Sequence, residues 1–236
     1  FHLILSMQNL CVIIPFYNEK RFLEESLKRL LDNDIYNQII LSDDCSNDGS
    51  ELIAKNFSDN YEKILYIKSN ENQGKGNALN QAKPFINTSH VVVHDADLEY
   101  FPSDIIEMFN SSKEYPESLI LGSRFIGNKE RKNVYFRTFI ANKVMSLFFS
   151  LINFYNVTDV ATCYKLMPVS FFKNINLVEK GFSIEIELLS KYLKINKSIV
   201  EVPIMYEGRS YSEGKKIKTS DGFKYLFNTL RYRIFN

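Results

Sequence analysis

Four times in its first hundred residues the chain passes from a short apolar stretch into a polar cluster, and that alternation leaves few folds open. Residues 10–15 read Leu-Cys-Val-Ile-Ile-Pro and run into Phe16-Tyr17-Asn18-Glu19. Residues 38–42 lead to Asp43-Asp44-Cys45-Ser46-Asn47-Asp48-Gly49, residues 63–68 to a loop over 69–76, and residues 90–94 to Asp95-Ala96-Asp97. A continuous apolar run bounded by turn residues is the pattern of a strand buried on both faces. Between the runs, Leu23, Leu27, Leu30 and Leu31 fall at helical spacing and predict a helix over 19–32. A second helix is expected after Gly49 and a third over 77–86. Strand, helix, strand in repetition makes right-handed βαβ units, which carry their ligands at the carboxyl ends of parallel strands. All four polar clusters should therefore surround one crevice.

Beyond Asp97 the spacing changes. A helix begins near Pro102, a strand covers 118–122, and a basic, Phe-rich stretch over 128–155 holds a long amphipathic helix at 134–154. A loop entering a strand is expected over 158–167, a helix over 183–194, a strand over 199–206, a polar tail over 207–218 and a last helix over 220–235. The 236 residues are 45% hydrophobic and 24% charged, enough apolar material for one α/β domain with a mostly parallel central sheet flanked by helices.

Charge and cysteine content exclude several classes. A net charge of +1 and the lack of a basic block interleaved with aromatics argue against nucleic acid. Between 129 and 143, however, five cations (Lys129, Arg131, Lys132, Arg137, Lys143) face one acid, Glu130, and that stretch suits phosphate. Cys11, Cys45 and Cys163 are odd in number and lack CxxC spacing, so they read as buried thiols of a reducing, cytoplasmic compartment. Residues 134–154 are interrupted by Arg137, Asn142, Lys143 and Asn153, which makes crossing a bilayer costly. Phe136, Phe139, Ile140, Val144, Leu147, Phe148 and Leu151 recur there at helical spacing. They suit either a core face or an interfacial helix resting peripherally on a membrane. His2, His90 and His94 have no ligand spacing, and no Ser-centred elbow is present.

The chemistry concentrates in the loops. In Asp95-Ala96-Asp97, two carboxylates at a strand end, with Glu99 two residues on, have the hard oxygens that a divalent cation takes. Of Asp43-Asp44, one carboxylate can cap the next helix while the other accepts hydrogen bonds from a base or ribose. Asn72-Gln73-Gly74-Lys75-Gly76-Asn77 is either an anion-binding helix start or a plain tight turn. In the tail, Arg209, Lys215 and Lys216 can close over a diphosphate or stay solvated.

Taken together these motifs resemble the family-2 glycosyltransferases of GT-A (Rossmann-like) fold. Gly122-Ser123-Arg124-Phe125, the stretch Thr158-Asp159-Val160-Ala161-Thr162-Cys163-Tyr164-Lys165, Glu201-Val202-Pro203-Ile204 and the Gly208-to-Ile217 tail resemble their dolichyl-phosphate mannose synthase-like group. The resemblance implies a nucleotide-binding half over 10–100 and an acceptor-binding half over 101–236. It implies that Pro15, Tyr17, Glu19, Asp44, Lys75, Asp95 and Ala96 bind a nucleotide-sugar donor whose diphosphate meets Arg209 and Lys215. Asp95, Asp97 and Glu99 would hold Mg²⁺ or Mn²⁺, with Asp97 catalytic, and Arg124 and Arg137 would meet the phosphate of a polyprenyl-phosphate acceptor.

Relatives that glycosylate hydroxyls often use a Glu-Asp pair as base. The matching segment here reads Phe182-Ser183-Ile184-Glu185-Ile186-Glu187, without that pair. A phosphate acceptor needs no base, since its second pKa near 6 leaves it largely dianionic. The expected activity is thus inverting transfer of a hexose from a GDP-mannose or UDP-glucose type donor to polyprenyl phosphate, at the cytosolic face of a membrane. Transfer to a sugar hydroxyl in surface polysaccharide synthesis is the alternative. Related enzymes often carry transmembrane helices after the catalytic domain, so the expectation is that a membrane-anchor partner, further segments of a longer chain, or the 134–154 helix itself holds this one at the membrane.

Overall fold

The computed structural model describes residues 8–195, 198–209 and 219–235, with side chains of 219–221 excepted. Its strands are β1 (Leu10–Phe16), β2 (Gln38–Asp43), β3 (Ile64–Lys68), β4 (His90–Val93), β5 (Leu119–Ser123), β6 (Arg131–Lys132), β7 (Lys165–Pro168), β8 (Ile199–Pro203) and β9 (Tyr206–Glu207). Its helices are α1 (Leu23–Leu31), α2 (Ser50–Asn60), α3 (Lys75–Ala82), α4 (Pro102–Glu114), α5 (Phe136–Asn153), α6 (Val169–Asn174), α7 (Ile184–Ile195) and α8 (Thr219–Ile234).

Seven strands form one sheet in the order β3-β2-β1-β4-β7-β5-β8, and β6 pairs with β9 in a small second sheet. The main sheet is parallel except at β7, which runs antiparallel to both β4 and β5. The alternation of side chains sorts each strand between two cores. Cys11 and Ile13 join α3, α5, α6, α7 and α8 on one face, while Leu10, Val12 and Ile14 join α1, α2 and α4 on the other. The mostly parallel, helix-flanked sheet expected from the apolar runs is the one observed.

Three expectations need correction. The stretch over 199–206 is two strands, because β8 ends at Pro203 and Tyr206–Glu207 pairs with β6 instead. Cys11 and Cys163 are buried thiols, but Cys45 is only half-buried, with Sγ donating to the carbonyl of Asn70. The core reading of the long helix fails: none of its seven apolar residues is buried, and Phe136 (76% exposed) and Leu147 (62%) project outward. The side of α5 turned inward holds Ser146 and Phe149, with Asn142, Met145, Ser150 and Asn153 partly covered. α8 likewise exposes Phe223, Phe227 and Ile234, while its covered side carries Asn228 and Thr229 beside Tyr225 and Tyr232. Among the described residues no helix is long and apolar enough to cross a membrane.

Candidate active site

The carboxyl ends of β1, β2 and β4 open on a cavity of about 270 Å³. Pro15, Tyr17, Glu19, Asp44, Lys75, Asp95, Ala96, Asp97 and Arg209 all line it, joined by Asn72, Gly74 and Phe182. Every donor-site residue expected from the sequence is therefore in one place, except Lys215, which lies outside the described residues. A second, smaller cavity of about 80 Å³ shares Asp95, Asp97 and Arg209 and extends past Glu99, Arg124, Cys163 and Glu185. It reaches Thr138, Asn142 and Met145 of α5 and Gly222 and Tyr225 of α8. Arg137 is exposed on the first turn of α5 and lines neither cavity.

The loops are built by backbone hydrogen bonds to buried acids. Asp43 accepts from Ser46 N–H at 2.7 Å and from the Tyr66 hydroxyl at 2.9 Å. Asp44 accepts from the N–H groups of Gln73 (3.1 Å) and Gly74 (2.6 Å), which ties the glycine loop to β2. Neither caps α2, which starts too far along the chain; Asp48 accepts from Ser50 N–H at its start. Gly74 (φ +92°) and Gly76 are required by close approach of another segment. A Cβ on Gly74 would lie 2.3 Å from the Lys180 carbonyl oxygen, and one on Gly76 2.2 Å from that of Glu179. The Lys75 N–H already donates to the Lys180 oxygen at 3.0 Å. Packing against the 179–180 segment, which neither an anion site nor a turn by itself demands, thus accounts for both glycines.

Around Asp95-Ala96-Asp97 the charges alternate. Lys75 Nζ sits 2.8 Å from Asp95 Oδ1 and 3.0 Å from Glu185 Oε1, while Lys165 Nζ takes Glu185 Oε2 at 2.5 Å. Arg209 Nη2 is 2.7 Å from Asp97 Oδ2, and its Nε is 3.3 Å from Glu99 Oε1. Glu99 also accepts from Arg209 N–H at 3.0 Å and, through its other oxygen, from the Tyr206 hydroxyl at 2.8 Å. Leu98, between the two acids, adopts φ +63°, a conformation few leucines take, which aims Asp97 and Glu99 at the same guanidinium.

Burial opposes the charge on Asp95, but the Lys75 ammonium outweighs it and holds this carboxyl below its ordinary range. Burial, then repulsion from Glu99 and Asp95, pushes Asp97 up to about 7 despite Arg209. Such crowding of hard oxygens is relieved by a cation, so the donor set fits Mg²⁺ or Mn²⁺. Among the described residues no group of three or more His, Cys, Asp or Glu side chains is arranged to hold an ion. The expected set of Asp95, Asp97 and Glu99 is therefore not gathered as a three-carboxylate site, Glu99 being taken by Arg209 and Tyr206.

Arg124 is buried and held bidentately by Asp159, Nε to Oδ2 at 2.7 Å and Nη2 to Oδ1 at 2.8 Å, with its Cζ 4.9 Å from the centre of the Tyr206 ring. Sequence reasoning passed over Asp159, Glu185 and Lys165 as site residues, since single charges in apolar stretches carry no local pattern. The inner polar residues of α5 did leave a signal: Thr138, Asn142 and Ser146 recur every fourth residue, opposite the apolar stripe.

The model of the Glycosyl transferase family 2 domain matches residues 11–175. A UDP-N-acetylglucosamine–dolichyl-phosphate N-acetylglucosaminyltransferase of Methanococcus voltae is 29% identical over 245 residues, covering 94% of this chain and 95% of its own length. The dolichol-phosphate mannosyltransferase of Pyrococcus furiosus is 28% identical over 227 residues, covering 93% of this chain and 62% of its own length. Among solved structures, glucosyl-3-phosphoglycerate synthase from Mycobacterium tuberculosis, in complex with Mn²⁺, UDP and glucosyl-3-phosphoglycerate, superimposes with a TM-score of 0.67 at 15% identity. It covers 97% of this chain and 80% of its own, a likeness of fold.

Proposed function

The chain belongs to glycosyl transferase family 2, and from that premise we propose that it moves a hexose from a nucleotide-diphosphosugar to a polyprenyl or dolichyl phosphate, with inversion. The observation that carries this reading is the second cavity's position. It shares Asp95 and Asp97 with the donor cavity and runs between α5 and α8, the two helices whose outward faces are apolar. An acceptor with a charged head and a hydrocarbon tail fits that arrangement: the phosphate head enters past Arg124 towards the donor cavity while the tail stays in the bilayer against the helices. Exposed Arg137 and Arg233 on these helices suit anionic headgroups.

In this reading the donor cavity holds the nucleotide against Pro15, Tyr17 and Asp44, with its diphosphate near Lys75 and Arg209. Asp95 and Asp97 would hold Mg²⁺ or Mn²⁺, which when bound supplies Lewis-acid neutralisation of the departing diphosphate. The acceptor phosphate oxygen forms its bond to the anomeric carbon as the bond to the diphosphate oxygen breaks, and the nucleoside diphosphate leaves. No proton need be removed from a dianionic phosphate. Glu185 agrees with this: on the helix where hydroxyl-directed relatives place a base, both its oxygens are occupied by ammonium groups. Positioning and electrostatics then provide the rate.

The test is incubation with labelled GDP-mannose, UDP-glucose and UDP-N-acetylglucosamine in the presence of short polyprenyl phosphates and Mn²⁺. A lipid-linked product from one donor is expected. Absence of lipid product, with transfer to an oligosaccharide hydroxyl, would establish the polysaccharide alternative instead.

A further inference from the structure

The antiparallel strand β7 brings a lysine into the sheet's interior, where a bare ammonium is untenable. Lys165 is fully buried and spends its protons on the carbonyls of Val160 and Thr162 and on Glu185 Oε2. Three acceptors around one ammonium leave Lys165 no freedom, and Glu185, itself buried at the start of α7, is fixed by it in turn. The other oxygen of Glu185 then takes Lys75, whose ammonium also touches Asp95. Two of the three Lys75 protons are thereby committed, and the third has no partner among the described residues. Lys75 lines the donor cavity, Glu185 the second cavity, and Asp95 both.

We infer that Glu185, anchored by Lys165, is a positioning residue for the donor: it holds Lys75 against Asp95 so that the remaining ammonium proton is available to an anionic ligand in the donor cavity. The inference rests on the nucleotide-sugar reading of that cavity. Without Glu185, Lys75 has a single carboxylate to follow and a longer arc to sample, so its contact with a diphosphate is no longer prepaid. The chain of four charges crosses from β7 through α7 and α3 to the end of β4, so the link exists only in the assembled fold.

A double-mutant cycle tests it, with calorimetric affinity for UDP and for GDP, each with Mn²⁺, as the readout. Glu185→Gln is expected to weaken binding of the preferred nucleotide about tenfold, and to add no loss when Lys75→Met is already present. Unchanged binding in Glu185→Gln, or losses that multiply in the double variant, overturns the inference. Because Glu185→Gln leaves Lys165 buried beside a neutral partner, the pair Lys165→Met with Glu185→Met serves as a second probe. Replacing a buried ion pair by apolar side chains generally preserves folding. This variant should still melt in a single cooperative transition by circular dichroism yet show the same loss of nucleotide affinity. Wild-type affinity in that folded protein also overturns the inference. If the wild type binds neither diphosphate, the reading of the cavity falls and takes the inference with it.

Discussion

Arg209 Nη2 lies 2.7 Å from Asp97 Oδ2, so a guanidinium from the C-terminal tail rests on the carboxylate proposed to hold the cation. With Glu99 committed to Arg209 and Tyr206, the tail enters the site as a fixed positive charge. In the proposed reading a divalent ion and Arg209 compete for Asp97, and a donor diphosphate offers Arg209 an alternative partner. Replacing Arg209 by Met should therefore tighten Mn²⁺ binding to the nucleotide-free protein several-fold while weakening nucleoside diphosphate affinity at least about tenfold. Electron paramagnetic resonance titration of Mn²⁺ and calorimetry with nucleotide measure the two effects; equal Mn²⁺ affinity in both proteins contradicts the competition.

Asp97→Ala should reduce turnover by roughly 10²- to 10³-fold and flatten its dependence on metal concentration, because in the proposed reading the carboxylate both binds and orients the cation. Activity measured across a Mn²⁺ series decides this. Intact turnover with intact metal dependence would place the cation elsewhere.

Gly76→Ala should lower stability by about 1–3 kcal/mol, since the new methyl would sit 2.2 Å from a backbone oxygen that cannot rotate away. For a chain of this size each kcal/mol corresponds to about 2–4 °C in melting temperature. A scanning calorimeter reads the shift. No shift would mean that the segment around Glu179 yields.

His94 is fully buried, with its ring nitrogens at 3.1 Å from Ser26 Oγ and 2.9 Å from the Tyr164 hydroxyl, and burial pushes its imidazole down to about 4. A group with a depressed folded pKa contributes full stability above its unfolded value near 6.5, and that contribution falls as pH drops from about 6.5 towards 4. The loss by pH 4 is on the order of 3 kcal/mol. Urea denaturation across that window should show the decline, and His94→Gln should reduce its slope. An unchanged slope in the variant assigns the acid sensitivity to other groups.

Leu147→Asp combined with Phe227→Asp puts two charges on the exposed apolar faces of α5 and α8. Their stability cost should stay within about 0.5 kcal/mol each, as for other exposed positions, while flotation with vesicles rich in anionic lipid is expected to fall sharply. Undiminished flotation would remove these faces as the membrane contact.

The outward faces of α5 and α8 mark where pattern reading reached its limit. The spacing of Phe136, Ile140, Val144 and Leu147 made a helix legible and left its direction undecided, because a stripe of large apolar side chains has the same period whether it faces a core or a bilayer. Only packing against the sheet showed that Ser146 and Phe149 point inward. The positions of Asp44, Asp95 and Asp97 were legible because parallel strands deliver their loops to one edge, whatever the loops contain. The partners of those acids were not: nothing near Asp95 announces Glu185, ninety residues further along the chain.

What the amino-acid order determined alone was the local chemistry: which segments are strands, which loops are acidic, and that glycines flank Lys75. Those properties depend on neighbours a few residues apart, and hydrophobic periodicity and turn propensity report them directly. What only the tertiary structure decided was the pairing of charges. The antiparallel entry of β7 buried Lys165, and the left-handed Leu98 turned Asp97 and Glu99 onto Arg209. A buried charge must find an opposite one within a few ångströms, and distance along the chain says nothing about which one it finds.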